Sequence, residues 1–399
     1  MLWKNRGKEL ALFEESLKEK RNIVFYGLSR EVPMIYERLS FLKIDFAFAF
    51  DKYCGENLQI IKCEEEKIIG SFLDALSLMK EKNYLLIIAV ASPDERITVK
   101  NKLILSGYLE NIDFFDASFF LNMYIPILPI YVLCAHEKCY IESLNHPVNW
   151  KCTLKCKKCA SCIPYFKHEN STLAVLNEET DLLFKKVDFI ETYDLTGGEA
   201  FLVQDLLLER MKYLFDNYSD QFGKLQCITD ATVMPKEEIL DFIQENQDRI
   251  MMRVSNYPHL PGWQEKFDCF MSKFSERGIS LLRTMDESWM DFGFDEKIDL
   301  TLSQEELTAY FDLCPQNCRM YENGNLAYCA DAYDAQMAFY PDIDSKNEML
   351  NLKSEDVTKA EIVELFLGYQ EKGYIEMCRH CNGWGSRNKK RAPVAEQLS

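Results

Sequence analysis

Short apolar runs alternate with amphipathic stretches along the first 120 residues of the chain. The predicted strands are 22–26 (NIVFY), the run DFAFAF up to Asp51, and 84–90 (YLLIIAV), and the predicted helices are 30–42 and 94–106. Strand, turn, helix and strand within about thirty residues form a βαβ unit. The pattern therefore predicts an α/β, Rossmann-like domain over residues 1–120.

Two residues of this domain could contact a dinucleotide. Gly27 follows the first predicted strand, and Asp51 lies where an acid could bind a ribose. The fingerprint G-x-G-x-x-G is incomplete, because only Gly27 of its glycines is present. We therefore favour a docking or substrate-recognition domain. Residues 121–146 are predicted to connect this domain to the next one.

From residue 147 onwards the pattern changes to regular strand–helix repeats. The predicted strands are 147–151, 187–194, 224–229, 249–255 and 279–284, and the predicted helices lie near 172–185, 200–217, 236–247 and 263–277. Regular alternation of this kind indicates a parallel sheet, and we expect a full or partial barrel over residues 147–310. In such barrels the loops at the carboxyl ends of the strands carry the chemistry.

Composition narrows the range of partners and compartments. The chain has 47% hydrophobic and 28% charged residues, which is typical of a folded protein, and its net charge of −18 argues against nucleic acid as a partner. The basic run 387–391 is predicted to be solvated, within a tail at 386–399. The N-terminus has no secretory signal, and the most membrane-like stretch, 119–135, is interrupted by polar residues and prolines, so we expect a cytoplasmic protein without a membrane span. Fifteen cysteines in that compartment indicate metal or redox chemistry rather than disulfides.

Four of the cysteines lie close together in CTLKCKKCASC, residues 152–162. Cys152, Cys156 and Cys159 have C-x3-C-x2-C spacing, and a loop of that length can wrap three thiolates around one iron–sulfur cubane and leave one iron open. A zinc site is the alternative, although zinc sites usually combine C-x2-C pairs. Cys162 could instead close the site as a fourth ligand.

The stretch TGGE at 196–199 comes at the end of the next predicted strand. Gly197 and Gly198 would expose backbone groups that can bind an amino-acid moiety, and Glu199 would accept a hydrogen bond from its ammonium group. About forty residues separate TGGE from the cysteine loop, and we expect the two to share one face of the barrel.

These features resemble the radical S-adenosylmethionine (SAM) superfamily. The resemblance rests on the three cysteines at 152, 156 and 159, on Gly197-Gly198-Glu199, and on the alternation around them, and it covers roughly residues 147–300. It implies a partial (β/α)6 barrel with a 4Fe–4S cluster whose open iron is chelated by SAM. It also implies formation of a 5′-deoxyadenosyl radical, which abstracts hydrogen from an unactivated C–H bond.

Three further residues are judged against the same family. Ser255, at the end of the fourth predicted strand, resembles a polar residue that contacts SAM in relatives. Lys158 departs from the family, where an aromatic residue usually precedes the third cysteine and packs near the adenine. Cys162 has no counterpart in the family motif, and we interpret it as a spare thiol.

The region 311–385 carries a second set of cysteines. Cys314, Gly324 and Cys329 form C-x9-G-x4-C, and the pair Cys378 and Cys381 follows. The set resembles the shortened SPASM or "twitch" domain, which implies an auxiliary 4Fe–4S cluster on these four cysteines. Cys318 is a rival for the first ligand, and a zinc knuckle is the alternative site.

Enzymes that resemble this layout include a dehydrogenase and an epimerase of aminocyclitol and aminosugar alcohols. We therefore expect oxidation of a carbohydrate-like or polyhydroxylated small molecule, with the auxiliary cluster accepting an electron and flavodoxin or ferredoxin as the electron donor. Epimerisation, with Cys227 as hydrogen donor, is one alternative, and modification of a ribosomal peptide is another. A non-catalytic metal-binding interaction protein is the alternative of another class.

Overall fold

The computed structural model describes residues 9–49, 68–81, 83–121, 127–165, 167, 170–284 and 287–398. Asp51, proposed above as a ribose-binding acid, lies outside the described residues. Contacts divide the chain into two compact units, Met1–Tyr140 with Lys359–Tyr369, and Ile141–Thr358 with Gln370–Ser399. No described helix is long and apolar enough to cross a membrane.

The first unit is built on a parallel sheet. Its strands are β1 (Asn22–Tyr26), β2 (Phe46–Ala49), β3 (Ile68–Gly70), β4 (Tyr84–Ile88) and β5 (Phe114–Asp116), and its helices are α1 (Glu9–Leu17), α2 (Val32–Phe41), α3 (Phe72–Met79), α4 (Pro93–Leu105), α5 (Ala117–Phe120) and α6 (Ile127–His136). The strand order is β3-β2-β1-β4-β5, and all neighbours pair in parallel. The predicted α/β class is therefore confirmed for this unit.

Gly27 has a packing role at the end of β1. Its φ is +96°, and a Cβ at this position would lie 2.6 Å from the carbonyl oxygen of Ala89, just beyond β4. The next turn residues stay close as well, since the Ser29 N–H donates to the same oxygen at 2.7 Å. A glycine is therefore needed here for two strand ends to meet, whether or not a ligand binds.

The second unit is built on a larger sheet. Its strands are β6 (Tyr140–Asn149), β7 (Phe189–Gly197), β8 (Phe222–Thr229), β9 (Ile250–Ser255), β10 (Leu281–Thr284), β11 (Trp289–Met290), β12 (Met320–Glu322), β13 (Asn325–Ala327), β14 (Met349–Asn351) and β15 (Arg391–Ala392). Eight of them form one sheet in the order β10-β9-β8-β7-β6-β12-β13-β14, and the run from β7 to β10 is parallel.

Helices follow the strands of this sheet in the predicted order. They are α7 (Leu173–Lys186), α8 (Gln204–Tyr218), α9 (Glu237–Glu245) and α10 (Trp263–Glu276), followed by α11 (Gln304–Asp312) and α12 (Ala330–Phe339). The regular alternation of the sequence is therefore confirmed as a parallel sheet that carries helices, in the manner of a partial barrel. Among the described residues the strand–helix series has five strands, β6 to β10, one fewer than the (β/α)6 form.

The first strand of the series differs from its prediction. The sequence predicted a strand at 147–151, whereas β6 runs from Tyr140 to Asn149. Its polar positions hid it, because His146 and Asn149 are buried through partners elsewhere in the fold rather than through an apolar pattern. His146, for example, contacts Tyr193 of β7 and Glu179 of α7 through its ring nitrogens.

The two faces of the sheet can be told apart by their contacts. Arg210 of α8 donates to the hydroxyl of Tyr193 at 3.1 Å, so Tyr193 faces the helices. Side chains alternate along a strand, so Asp194 faces the other way. We call this other face the inner face; Ser143 and Gln226 lie on it too, since both contact Asp194.

Three parts of the C-terminal region differ from the expectation of one compact domain and a tail. Strands β12 to β14 extend the main sheet beyond β6, with β12 parallel to β6 and β13 antiparallel to both of its neighbours. Helix α13 (Lys359–Phe366) belongs to the first unit, where it packs against α6. Residues 386–399 are not a free tail, because β15 pairs with β11 and Gln397 bridges to Cys156. Within the basic run, Lys389, Lys390 and Arg391 are exposed, as predicted.

Candidate functional site

The cysteine loop begins directly after β6 and is tied to the end of β7. The N–H of Gly198 donates to the carbonyl of Asn149 at 2.8 Å, and the N–H of Glu199 donates to the carbonyl of Lys151 at 2.8 Å. The TGGE segment is thus hydrogen-bonded to the residues just before Cys152. The structure therefore brings the two motifs together, at the carboxyl ends of two neighbouring strands.

Both glycines of TGGE are required by this close approach. A Cβ on Gly197 would lie 1.9 Å from the carbonyl oxygen of Asn149, and one on Gly198 would lie 1.8 Å from that of Lys151. No side chain fits at such distances, so only glycine lets β7 reach the start of the cysteine loop. The two glycines are therefore needed for packing, in addition to the ligand contact expected of them.

Glu199 is held by protein donors on both carboxylate oxygens. Its Oε1 accepts from the N–H of Phe201 and from the hydroxyl of Thr229, each at 2.9 Å, and its Oε2 accepts from the N–H of Asp230 at 2.7 Å. The side chain is buried, and burial together with the charge of Asp230 raises the pKa of Glu199 well above its ordinary value. This geometry gives Glu199 a role in joining the ends of β7 and β8, while its expected role as acceptor from a ligand ammonium stays a prediction.

Asp230 connects the end of β8 to the cysteine loop. Its Oδ2 accepts from the hydroxyl of Thr153 at 3.1 Å and lies 3.6 Å from the sulfur of Cys152. Burial and the nearby carboxylate of Asp230 raise the pKa of Cys152 to about 12. A metal bound to the sulfur would reverse that shift, because a cation stabilises the thiolate. The sequence analysis missed Asp230, although a polar residue directly after a predicted barrel strand was a usable signal.

A segment far along the chain covers Cys156. The side-chain amide of Gln397 donates to the Cys156 sulfur at 3.4 Å, and Val394 and Ala395 pack against the same residue. Tyr257 and Trp289 join this apolar cluster, with their ring centroids 5.9 Å apart in an edge-on arrangement. The loop that carries the three cysteines is thereby enclosed on one side by apolar groups.

Lys158, which stands where the resemblance noted in the sequence would place an aromatic residue, is turned towards carboxylates. Its ammonium lies 3.1 Å from Asp291, 2.6 Å from Asp295 and 3.3 Å from Glu296. An open cavity adjoins these residues and is also lined by Cys159 and Cys162. Lys158 therefore anchors the cysteine loop to the 291–296 segment and does not stack on a ligand from this position.

The inner face carries a buried polar group below these motifs. Asp194 of β7 accepts from the hydroxyl of Ser143 at 3.2 Å and from the side-chain amide of Gln226. Burial raises the pKa of Asp194 to about 7, against the two hydrogen bonds and the charge of Arg253, which lower it. The Nε of Arg253 and the hydroxyl of Thr196 are buried without a hydrogen-bond partner. Buried donors of this kind are where a polar ligand would gain most.

Ser255 and Cys227 lie on opposite faces of the sheet. Ser255 stands two residues after Arg253 on β9, and Arg253 pairs with Ile228, two residues after Gln226, so Ser255 lies on the inner face. Cys227 pairs with Leu195, which shares the helix-facing side with Tyr193, and it is fully buried. The geometry therefore places Ser255 where a cofactor contact is feasible and places Cys227 away from the inner face.

Four C-terminal cysteines line one cavity. They are Cys314, Cys329, Cys378 and Cys381, and the rest of the wall is mostly aromatic and aliphatic. The N–H of Gly383 donates to the Cys381 sulfur at 3.2 Å, and burial with the charge of Cys314 raises the pKa of Cys381 to about 12. Phe292 and Phe294 line this cavity and also the cavity beside the cysteine loop.

Cys318 is placed apart from those four. It does not line their cavity but packs in an apolar cluster with Trp150 and Met320. Burial, with the charges of Asp331 and Asp194, raises the pKa of Cys318 to about 12, while the charge of Arg253 lowers it. Of the two rivals for the first auxiliary ligand, Cys314 is therefore the one with the right neighbours, and Cys318 lies within electrostatic reach of the inner face.

The donor chemistry of both places fits iron–sulfur clusters. In the part of the chain that the structure describes, no group of three or more Cys, His, Asp or Glu side chains is close enough to hold a single metal ion. A cubane is larger than an ion and takes its thiolates at separate corners, as three cysteines of one loop and four cysteines around one cavity can supply. Ligation by these residues stays a prediction.

Comparisons with known proteins do not show a family for this chain. No protein-family model and no curated protein matches the chain. Among the solved structures that match, native anSMEcpe with bound AdoMet and Cp18Cys peptide is 17% identical at a TM-score of 0.31, and the match covers 37% of this chain and 44% of that chain.

Two further solved structures match with similarly low sequence identity and TM-score. BtrN in complex with AdoMet and 2-DOIA is 14% identical over 65% of this chain and 98% of its own, with a TM-score of 0.38. A polyhistidine-tagged form of anSMEcpe with bound AdoMet is 14% identical over 60% and 83%, with a TM-score of 0.32. This chain spans less than half the length of the first match. TM-scores this low carry no argument about function, which rests on the residues described above.

Proposed function

We propose that this chain is a radical SAM enzyme whose SAM-binding 4Fe–4S cluster is held by Cys152, Cys156 and Cys159. The observation that carries the proposal is the meeting of three strand ends at one point, with the cysteine loop after β6 bonded to TGGE after β7 and to Asp230 after β8. When bound, the cluster and SAM supply a radical that takes hydrogen from an unactivated C–H bond.

In this proposal, several residues around this point contribute to the binding of SAM. Gly197 and Gly198 bring the backbone of TGGE next to the cysteine loop, and Ser255 offers a hydroxyl from the inner face. Tyr257, which hydrogen-bonds with Ser255, packs with Cys156 and excludes water from that side. Glu199 acts through Asp230, by fixing the loop that positions Cys152.

The substrate in this proposal is a carbohydrate-like, polyhydroxylated small molecule bound on the inner face. Asp194 can accept hydrogen bonds from hydroxyl groups, while Arg253 and Thr196 can donate to hydroxyl or carboxylate oxygens. Because Arg253 Nε and Thr196 Oγ1 are buried without partners, a polar substrate would satisfy groups that are otherwise costly to bury. Oxidation of an alcohol carbon is the favoured outcome.

Alcohol oxidation through a carbon radical leaves one electron to be accepted. We place a second 4Fe–4S cluster in the cavity lined by Cys314, Cys329, Cys378 and Cys381 as that acceptor. The mostly apolar wall would keep water from such a cluster, and its potential would be set by hydrogen bonds to sulfur, such as that from the N–H of Gly383. A cytoplasmic flavodoxin or ferredoxin is proposed as the electron donor.

Epimerisation is the second candidate reaction. For its hydrogen donor, the position of Cys318 is more suitable than that of Cys227. An epimerase needs a hydrogen donor near the substrate. Cys227 faces the helices, whereas Cys318 lies within reach of the charges of Asp194 and Arg253. If Cys318 donates a hydrogen atom, the substrate regains its C–H bond and no ketone is released. The thiyl radical left on Cys318 then takes up one proton and one electron, with the electron supplied by the second cluster or by the proposed flavodoxin or ferredoxin.

The proposal is tested with protein purified anaerobically, reconstituted and reduced with dithionite. We expect a brown protein that converts SAM slowly to 5′-deoxyadenosine and methionine, and a metabolite of a cell extract that disappears only with active enzyme. The Cys152→Ala/Cys156→Ala/Cys159→Ala variant should lose this conversion, while Cys162→Ala should keep it. A colourless protein with stoichiometric zinc would refute the cluster, and loss of the cluster in Cys162→Ala would show a closed four-cysteine site.

The second cluster has its own test. The Cys378→Ala/Cys381→Ala variant should lose about half of its iron, because a cluster with two of four ligands removed is not retained. It should still form 5′-deoxyadenosine and should fail to release an oxidised product. Release of an oxidised product without the second cluster would contradict its role as electron acceptor, whereas a product that is epimerised but not oxidised would favour epimerisation.

A further inference from the structure

The segment Val394–Leu398, which we call the covering segment, is hydrogen-bonded along the middle of the cysteine loop. The N–H of Lys157 donates to the carbonyl of Glu396 at 2.7 Å, and the N–H of Leu398 donates to the carbonyl of Lys155 at 2.8 Å. The side chain of Gln397 accepts from the N–H of Lys155 at 2.8 Å. These bonds surround Cys156 on both sides along the chain.

Gln397 also reaches the sulfur of Cys156. Its amide nitrogen donates to that sulfur at 3.4 Å and to the carbonyl of Ala395 at 2.7 Å, so the side chain is oriented by three partners. Ala395 has a φ of +48°, which side chains rarely adopt, and it is fully buried. A strained residue persists where its surroundings hold it, and here Gln397 bonds to its carbonyl.

The covering segment also removes Cys156 from solvent. Val394, Ala395 and Cys156 are all buried in one apolar cluster, 8% or less exposed. Strand β15, just before the segment, is anchored by its pairing with β11. The segment is therefore part of the wall around Cys156, although about 240 residues separate the two in sequence.

We infer that Gln397 is a positioning residue for the candidate SAM-binding cluster and that its amide raises the reduction potential of that cluster. Reduction adds negative charge to the cluster and its thiolates. A donor pointed at a ligating sulfur stabilises that charge, so reduction becomes easier. Burial of Cys156 under the covering segment acts in the opposite direction, because excluding water disfavours added negative charge, and the donor from Gln397 offsets part of that cost. This inference rests on the proposed function, since it requires a cluster on the cysteine loop.

Two variants of Gln397 should lower the potential to different extents. Gln397→Leu has similar bulk and no donor, so the reduced state loses one stabilising bond. Gln397→Glu keeps the acceptor for Lys155 but places a carboxylate beside the sulfur, and it should lower the potential further. Glu396→Gln is the matched control: it changes a neighbouring side chain that pairs at 3.6 Å with Lys157 at the surface, while the backbone bonds remain.

The potential is measured in full-length, anaerobically reconstituted protein without SAM or substrate. A redox titration followed by electron paramagnetic resonance is done in the Cys378→Ala/Cys381→Ala background, so that only the cluster on the cysteine loop is observed. We expect a more negative midpoint for Gln397→Leu than for the background, a still more negative one for Gln397→Glu, and no change for Glu396→Gln. An unchanged midpoint in both Gln397 variants would overturn the inference.

A second readout works on protein without a cluster. The rate at which iodoacetamide alkylates Cys156 is followed by mass spectrometry. It should rise several-fold in Gln397→Leu, because the covering segment opens more often in that variant, and it should remain unchanged in Glu396→Gln. Equal rates in all variants would show that Gln397 does not hold the segment over Cys156. If the parent protein forms no cluster on the cysteine loop, the proposed function fails instead, and that outcome is recognised before any variant is compared.

Discussion

Replacing Glu199 with alanine separates a structural role from a ligand-binding role. The sequence alone predicted that Glu199 contacts the ammonium group of SAM, so Glu199→Ala would weaken SAM binding and leave the fold intact. The structure instead shows both carboxylate oxygens accepting from Phe201, Thr229 and Asp230, inside the protein. We therefore expect the Glu199→Ala variant to be less stable than the parent protein even in the absence of SAM.

The loss in the free energy of unfolding follows from the three donors that would be left unpaired in Glu199→Ala. Each buried donor without a partner costs roughly 1–3 kcal/mol, so three cost about 3 kcal/mol even at the low end. For a unit of this size, about 2–4 °C of melting temperature is lost per kcal/mol. The melting temperature of the second unit should therefore fall by about 6–12 °C.

Calorimetry on the protein without cofactors measures this shift directly. Asp205→Ala is the control, since this carboxylate pairs with Lys236 at 2.5 Å at the surface, and such pairs contribute only about 0.2–1 kcal/mol. Glu199→Gln should lie between the two, because it keeps the Oε1 acceptor for Phe201 and Thr229 but turns an amide group towards the N–H of Asp230. If Glu199→Ala melts like the parent while its affinity for SAM falls, the structural role is refuted and the ligand role stands.

Three other predictions concern residues that the fold places by their neighbours. Cys314→Ser should lose about half of the iron of the reconstituted protein while Cys318→Ser keeps all of it, because only Cys314 lines the four-cysteine cavity; equal iron losses would contradict this. Cys227→Ala should retain full substrate turnover, since its side chain faces the helices, and a dead variant with normal iron and melting temperature would restore Cys227 as hydrogen donor. Asp194 has a folded-state pKa of about 7 against an ordinary value of 3.8, so the folded state holds a proton that the unfolded state has released, and stability should fall as the pH rises from about 4 to 7. Asp194→Asn should flatten this dependence in melting curves recorded at about pH 5 and about pH 7.5, and identical slopes in both proteins would speak against a raised pKa.

Local patterns in the sequence were sufficient for the elements and for their class. The predicted strands at 224–229 and 249–255 correspond to β8 (Phe222–Thr229) and β9 (Ile250–Ser255), and the predicted helix at 172–185 corresponds to α7 (Leu173–Lys186). This agreement has a physical reason, because the period of apolar residues reflects which face of an element is buried, and that period is written within ten or fifteen residues. The approach of TGGE to the cysteine loop could likewise be expected, since both follow neighbouring strands of a parallel sheet.

The tertiary structure alone decided what each polar residue near the site contacts. Glu199 looked like a free acceptor until the end of β8 was placed beside it, and Cys314 and Cys318 could not be ranked until one cavity was seen to include only the first. The inner face required the pairing of β7 with β8, which sets Asp194 beside Gln226 and turns Cys227 towards the helices. Gln397 reaches Cys156 across about 240 residues of sequence. Periodicity describes how one segment is buried, whereas these contacts join segments that are distant in the chain, and only the packing of the whole unit brings them together.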